Sequence, residues 1–220
     1  MSLTVEQRYR FIYKPLVFAA SLVPAALLLA GLFGIAGQDL GADPVKNLLH
    51  TLGKTALNFL MLTLLVTPVK NLGQWPHLLR LRRMLGLFAF FYALLHFTVY
   101  AVLDQELDWN SVLADIAKRP YITVGFTALL LLVPLAATST NRMMRRLGRR
   151  WQKLHRLVYL IAALGVWHYY WQVKKDVREP LLYAGILAVL LGYRVAMRSL
   201  AASRRRATST SVSATTPERT

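Results

Sequence analysis

The residues of this sequence best suited to chemistry are its histidines. There are five, His50, His77, His96, His155 and His168, and no cysteine. Without thiols there is no disulfide framework, no Cys-ligated metal or iron–sulfur cluster, and no Cys-x-x-Cys-His attachment for covalent haem. Metal chemistry falls to imidazole, thioether or carboxylate. Imidazole is a good ligand for iron, and a neighbour can orient its second ring nitrogen. His77 stands beside Pro76 in a polar connection and reads as solvated. The other four lie in or near apolar stretches, where an ionisable group is costly and turns to the interior of a bundle.

Those stretches define the elements. A bilayer-spanning helix needs about 20 mostly apolar residues, and six segments qualify. They run from Phe11 to Ile35, Leu48 to Val69, Met84 to Leu103, Tyr121 to Ala137, Leu154 to Val173 and Leu181 to Met197. The predicted fold is an all-α membrane protein, a six-transmembrane-helix bundle over residues 11–200. Residues 1–10 form a cytoplasmic N-terminus, and the Ser/Thr/Ala-rich tail 201–220 reads as disordered and cytoplasmic. The apolar run after Arg8, Arg10 and Lys14 is longer than the ~7–15 residues of a signal-peptide core and reads as a helix that stays.

Composition agrees. The 220 residues are 55% hydrophobic and only 17% charged, yet carry a net charge of +17. That much apolar surface excludes a disordered basic tail and a soluble nucleic-acid binder. With both termini cytoplasmic, the basic clusters around Arg80–Arg83, Arg142–Lys153 and Arg204–Arg206 fall inside. Asp39, Asp43, Asp104, Glu106, Asp108, Asp115, Asp176 and Glu179 fall outside. This is the positive-inside pattern, and the charge is topology and contact with anionic lipid headgroups. The Arg142–Trp151 run also suits a flavin phosphate, haem propionates or an acidic partner.

Depth brings two histidines together. Helices three and five run in the same direction from Arg80 and Trp151. His96 stands roughly 24 Å above Arg80 and His168 roughly 25 Å above Trp151, at 1.5 Å per residue. Two imidazoles at one level are what a six-coordinate b-type haem needs as axial ligands. His155 lies roughly 20 Å below His168. On one continuous helix the 13 intervening residues would turn the two side chains roughly 140° apart. The matching lower level of helix three holds Arg82 and Arg83 instead of a histidine. His155 therefore reads as a ligand of a lower haem with a non-His partner, or as a hydrogen-bond donor to a propionate, quinone or flavin. His96, His168, His155, Arg82 and Arg83 are the cofactor-binding candidates, the three histidines also the metal-binding ones. His50, near the outer end of helix two, either flanks the upper site or plays a helix-end role. Gly86, Ala89, Ala93 and Gly165 would let helices or a flat ring approach closely. Tyr169, Tyr170 and Trp171 read as an interfacial belt.

Several segments together carry a resemblance. They are Gly41-Ala42-Asp43-Pro44, Thr67-Pro68, Arg82-Arg83-Met84-Leu85-Gly86 with Tyr92-Ala93-Leu94-Leu95-His96, Arg119-Pro120-Tyr121, and Gly148-Arg149-Arg150-Trp151 with Leu154-His155 and His168-Tyr169. In these the chain resembles the MsrQ (YedZ) family, from about Gly41 to Gly192, within the ferric-reductase-like transmembrane group. The resemblance implies an inner-membrane b-type cytochrome, one haem b or two, with FMN as a further cofactor. It implies an electron-transfer subunit rather than a catalytic one. Electrons would come from the quinone pool or a cytosolic flavin reductase. They would pass to MsrP, a periplasmic molybdopterin enzyme that reduces methionine sulfoxide in oxidised envelope proteins. The family's histidines map onto His96, His155 and His168. The chain departs from the wider group in lacking two complete His pairs and any appended nicotinamide domain, since no G-x-G-x-x-G occurs. A direct ferric reductase, a proton-coupled transporter using membrane histidines, and a structural assembly subunit are the competing classes.

Overall fold

The computed structural model describes residues 4–35, 40–75, 78–173 and 176–214, with side chains as far as residue 203. His77 lies outside the described residues. Every described element is helical. They are α1 (Glu6–Leu32), α2 (Pro44–Gly73), α3 (Leu79–Asp104), α4 (Trp109–Lys118), α5 (Pro120–Ala137), α6 (Asn141–Leu147), α7 (Arg149–Leu154), α8 (Leu157–Gln172) and α9 (Arg178–Ala214). α9 continues into the stretch that composition reads as disordered, and residues 215–220 lie outside the described part.

Local chemistry sets the helix ends. α2 starts at Pro44, whose missing N–H costs nothing in the first turn. The Asp43 carboxylate accepts from the Lys46 N–H at 3.1 Å. α5 likewise starts on Pro120. Thr140 caps α6 through the Met143 N–H at 3.2 Å. Gly148, at φ +49°, turns the chain from α6 into α7, a backbone region where glycine avoids the Cβ penalty.

Among the described residues, α1, α2, α3, α5 and α9 are long and apolar enough to cross a membrane. α2 is the central one: 61% of its most apolar stretch is buried, against 11% for α1. Its Leu57, Leu60 and Leu64 form the core with Phe88 and Tyr92 of α3, Leu132 of α5, Ile161 of α8 and Leu187 of α9. Large apolar side chains such as Phe18, Leu130, Leu182 and Val189 point outward, as lipid-facing residues do.

The fifth predicted span differs from the observed chain. A continuous helix from Leu154 to Val173 was expected; instead the helix breaks at His155–Arg156 and α8 has 16 residues. The His155 Nδ1 pairs with the Trp151 carbonyl at 3.1 Å, and the backbone tightens there, Arg156 N–H donating to Lys153 at 3.2 Å. The Trp151 carbonyl also keeps its regular bond from the His155 N–H at 2.9 Å, and the helix is interrupted by three-residue bonds that continue to Val158 and Tyr159, a tighter turn that ends one helix and starts the next. The roughly 140° separation of His155 and His168 therefore has no continuous helix under it. α8 measures about 24 Å, short of the ~30 Å hydrocarbon layer. α4, α6 and α7 are short helices where the sequence predicts connections.

Tyr92 locks α3 to α1. It is fully buried. Its hydroxyl donates to the Ser21 carbonyl at 2.6 Å and accepts from the Ala25 N–H at 3.2 Å. Ser21 and Ala25 stand four apart and would bond each other in a regular helix. The phenol inserts into that ladder, one residue from Pro24.

Candidate functional site

His96, on α3, and His168, on α8, meet as the depth argument expects. Their ring centroids are 6.2 Å apart, with ring planes at 76°. The same device holds each ring. The His96 Nδ1 lies 2.9 Å from the Leu49 carbonyl of α2. The His168 Nδ1 lies 2.7 Å from the Tyr121 carbonyl of α5, and the Tyr121 ring stacks on His168 at 6.4 Å. A carbonyl can only accept, so both Nδ1 atoms carry the proton and both Nε2 atoms keep their lone pairs. Metal-binding histidines are oriented in this way, and the bond raises ligand basicity.

A glycine makes room for each ring. A Cβ on Gly53 would stand 3.3 Å from the His96 ring; one on Gly125 would stand 2.7 Å from His168 Nδ1. Each glycine lies four residues after the accepting carbonyl, Leu49 or Tyr121, on the same face of its helix. The sequence reading missed both. The signal was present in Thr51-Leu52-Gly53-Lys54-Thr55 and Thr123-Val124-Gly125-Phe126-Thr127, two like segments each followed by a histidine at the same distance. The other small residues pack helices instead. A Cβ on Gly86 would meet Thr63, and one on Gly165 would meet Leu57.

The pair fits an iron macrocycle. Metal–imidazole bonds of about 2 Å each, added to the half-widths of two rings, come close to the observed centroid separation. Among the described residues no group of three His, Cys, Asp or Glu is placed to hold a bare ion. A porphyrin supplies the four equatorial donors that such a pair lacks.

The other candidates lie apart from it. His155 stacks on Trp151 at 3.9 Å, and Trp151 is anchored by its indole N–H to the Thr138 carbonyl at 3.0 Å. With Nδ1 on the Trp151 carbonyl, the His155 Nε2 is buried and has no hydrogen-bond partner. The Leu135 carbonyl of α5 is close enough to the His155 ring to act on it, so the ring is held between α5 and α7. Arg82 is within electrostatic reach of it. Arg83 instead donates to the Asn141 side chain at the start of α6. His50, on α2, is within electrostatic reach of His96 and faces Lys46, Lys54 and Glu179. Tyr169 leaves the expected belt: it is buried, and its hydroxyl donates to Glu179 at 2.5 Å, while Glu179 also pairs with Lys54 at 2.8 Å. Tyr170 and Trp171 remain exposed.

The bundle thus brings together two carbonyl-tethered histidines from separate helices, an arrangement able to hold a haem between them. The family model described as ferric reductase like transmembrane component matches residues 52–166, enclosing Gly53, His96, Gly125 and His155 and ending two residues before His168. A protein of Xanthomonas oryzae pv. oryzae (strain MAFF 311018) is 53% identical over 197 residues, 88% of this chain and 90% of the relative. One from Herminiimonas arsenicoxydans is 52% identical over 185 residues, 83% of this chain and 84% of the relative. Both are named protein-methionine-sulfoxide reductase heme-binding subunit MsrQ. The chain belongs to the ferric-reductase-like transmembrane family, in the group of these MsrQ subunits, and is a multi-pass bacterial membrane protein. No solved structure matches it.

Proposed function

We propose that this protein is the b-type cytochrome subunit of a methionine sulfoxide reductase system, passing electrons outward across the inner membrane to a periplasmic MsrP-type catalytic subunit. The observation that carries this reading is the His96–His168 pair, 6.2 Å apart with both Nδ1 atoms tied to backbone carbonyls. The named relatives support it. Haem bound there supplies a one-electron iron couple. The chain's part is to present two neutral imidazoles, fix their tautomer, and keep the site in a low-dielectric interior.

Counting α8 as a sixth span places both termini on the cytoplasmic side, by the charge pattern. His155 and Arg82, within electrostatic reach of each other, then form the cytoplasmic-side position for a second carrier, a haem or FMN. A quinone or a cytosolic flavin reductase is the donor. Docking of the acceptor falls to the outer end, where Asp104, Glu106 and Asp108 are exposed.

The test is a reduced-minus-oxidised visible spectrum of the detergent-purified protein, with haem counted per chain. His96→Ala and His168→Ala should each abolish the upper haem, and His155→Ala should remove only a remaining fraction. A wild-type protein without haem from haem-replete cells would overturn the reading.

A further inference from the structure

Arg194 is the only charged residue buried among the described ones. It stands near the C-terminal end of the apolar segment Leu181–Met197, and α9 turns it into the bundle. One guanidinium nitrogen donates to the Leu190 carbonyl at 2.9 Å in its own helix, and another donates to the Leu64 carbonyl of α2. Its Cζ stands 5.4 Å over the Tyr159 ring of α8. A buried cation is costly unless paired, yet among the described residues no carboxylate reaches it. The described ion pairs are Lys54–Glu179, Arg80–Glu6 and Arg119–Asp115.

The Leu64 carbonyl explains half of this. Proline has no N–H, so Pro68, inside α2, leaves the carbonyl four residues before it without its helical donor. That carbonyl is Leu64, and in a lipid-surrounded bundle no water replaces the lost bond. The other half is the charge. A neutral donor would satisfy a carbonyl. A guanidinium also sets a fixed positive potential, and Arg82 lies within its electrostatic reach, as it does within that of His155.

We infer that Arg194 is a positioning residue with two tasks: it completes the hydrogen-bond ladder that Pro68 breaks, clamping α9 to α2, and, seated over the ring of Tyr159 four residues after His155, it holds a positive charge on the side of the bundle where the His155 carrier position lies, favouring the reduced state there. The second task rests on the electron-transfer reading above; the first does not.

Two measurements on the full-length protein in detergent separate them. Thermal unfolding read by intrinsic fluorescence, with or without haem, tests the clamp through a double-mutant cycle. Arg194→Met should cost several degrees more in the native background than in Pro68→Ala, where the backbone N–H restored by the substitution serves the Leu64 carbonyl. Equal shifts in the two backgrounds would overturn the clamp. Redox titration of the bound haem tests the charge. Arg194→Gln keeps a donor for Leu64 and removes the charge. It should disfavour reduction of the carrier nearest His155 about tenfold, about 59 mV for one electron, moving the His96–His168 haem less. Midpoints unchanged by Arg194→Gln would overturn the charge task. A protein without haem would remove that task together with the cytochrome reading, and the unfolding cycle would still decide the clamp.

Discussion

At the scale of single residues, the upper site depends on atoms that are not there. Gly53 and Gly125 contribute absent side chains, and the imidazoles occupy the space. The Gly125 approach is closer than the Gly53 one, so the two substitutions should differ. Gly125→Ala forces the His168 ring off the Tyr121 carbonyl and is expected to lower haem content severalfold. Gly53→Ala asks only a few tenths of an ångström of His96, and should retain haem with a shifted midpoint. Haem per chain and a redox titration check both, and equal retention in the two variants would contradict this account. His96 and His168 were legible in the sequence because a rare residue type recurred at one depth. The glycines were not, because a mid-helix glycine looks the same whether it faces lipid, a helix or a ring. The burial of Arg194 was hidden for a similar reason. Charge at the end of an apolar segment reads as loop charge, and only the contact with α2 shows it turned inward.

At the scale of elements, α2 with α3 and α5 with α8 are two versions of one unit. In each, a carbonyl near the outer end of the first helix receives the histidine Nδ1 of the second, across the same 47 residues of chain. No repeat is evident in the intervening sequence, since packing demands only apolar residues there. Helix existence was legible from hydropathy. The break at His155 was not, because a local tightening of the backbone bonds at Arg156, Val158 and Tyr159 leaves no mark on composition. Tyr92 is the lock between these units and α1. Tyr92→Phe leaves the Ser21 carbonyl and the Ala25 N–H to re-pair or go unsatisfied, a cost of about 1–3 kcal/mol. It should lower the melting temperature by a few degrees and leave the haem spectrum intact. Loss of haem in that variant would show that α1 also shapes the site. Outside the membrane, Asp108 caps α4 through the Asn110 N–H and the Ser111 hydroxyl. The Ser111 hydroxyl, with the backbone N–H groups of Asn110 and Ser111, holds its carboxyl below the ordinary range. The cap is therefore fully formed above the usual carboxylate pKa, ~3.9, and lost as pH falls through the depressed value. Amide exchange in α4 should accelerate only at that acidic end.

At the scale of the whole molecule, the absence of cysteine makes the topology directly testable by introduced thiols. In intact spheroplasts a membrane-impermeant maleimide should label Asn110→Cys and spare Ala201→Cys, which should react only after permeabilisation. Labelling of both in intact cells would contradict six spans with cytoplasmic termini. The described interior has one more property that follows from its chemistry. Among the described residues it fully buries a guanidinium and no carboxylate; the one partly buried acid, Asp115, sits on the short helix α4 and is tied to Arg119 and Tyr100. Proton pumps and channels string acids and histidines through their bundles. A core that carries a fixed cation and fully buries no acid opposes the passage of protons. On the function proposed above, such a core would let electrons pass between cofactors without a relay of acids to carry protons beside them, so the current need not discharge the gradient it crosses.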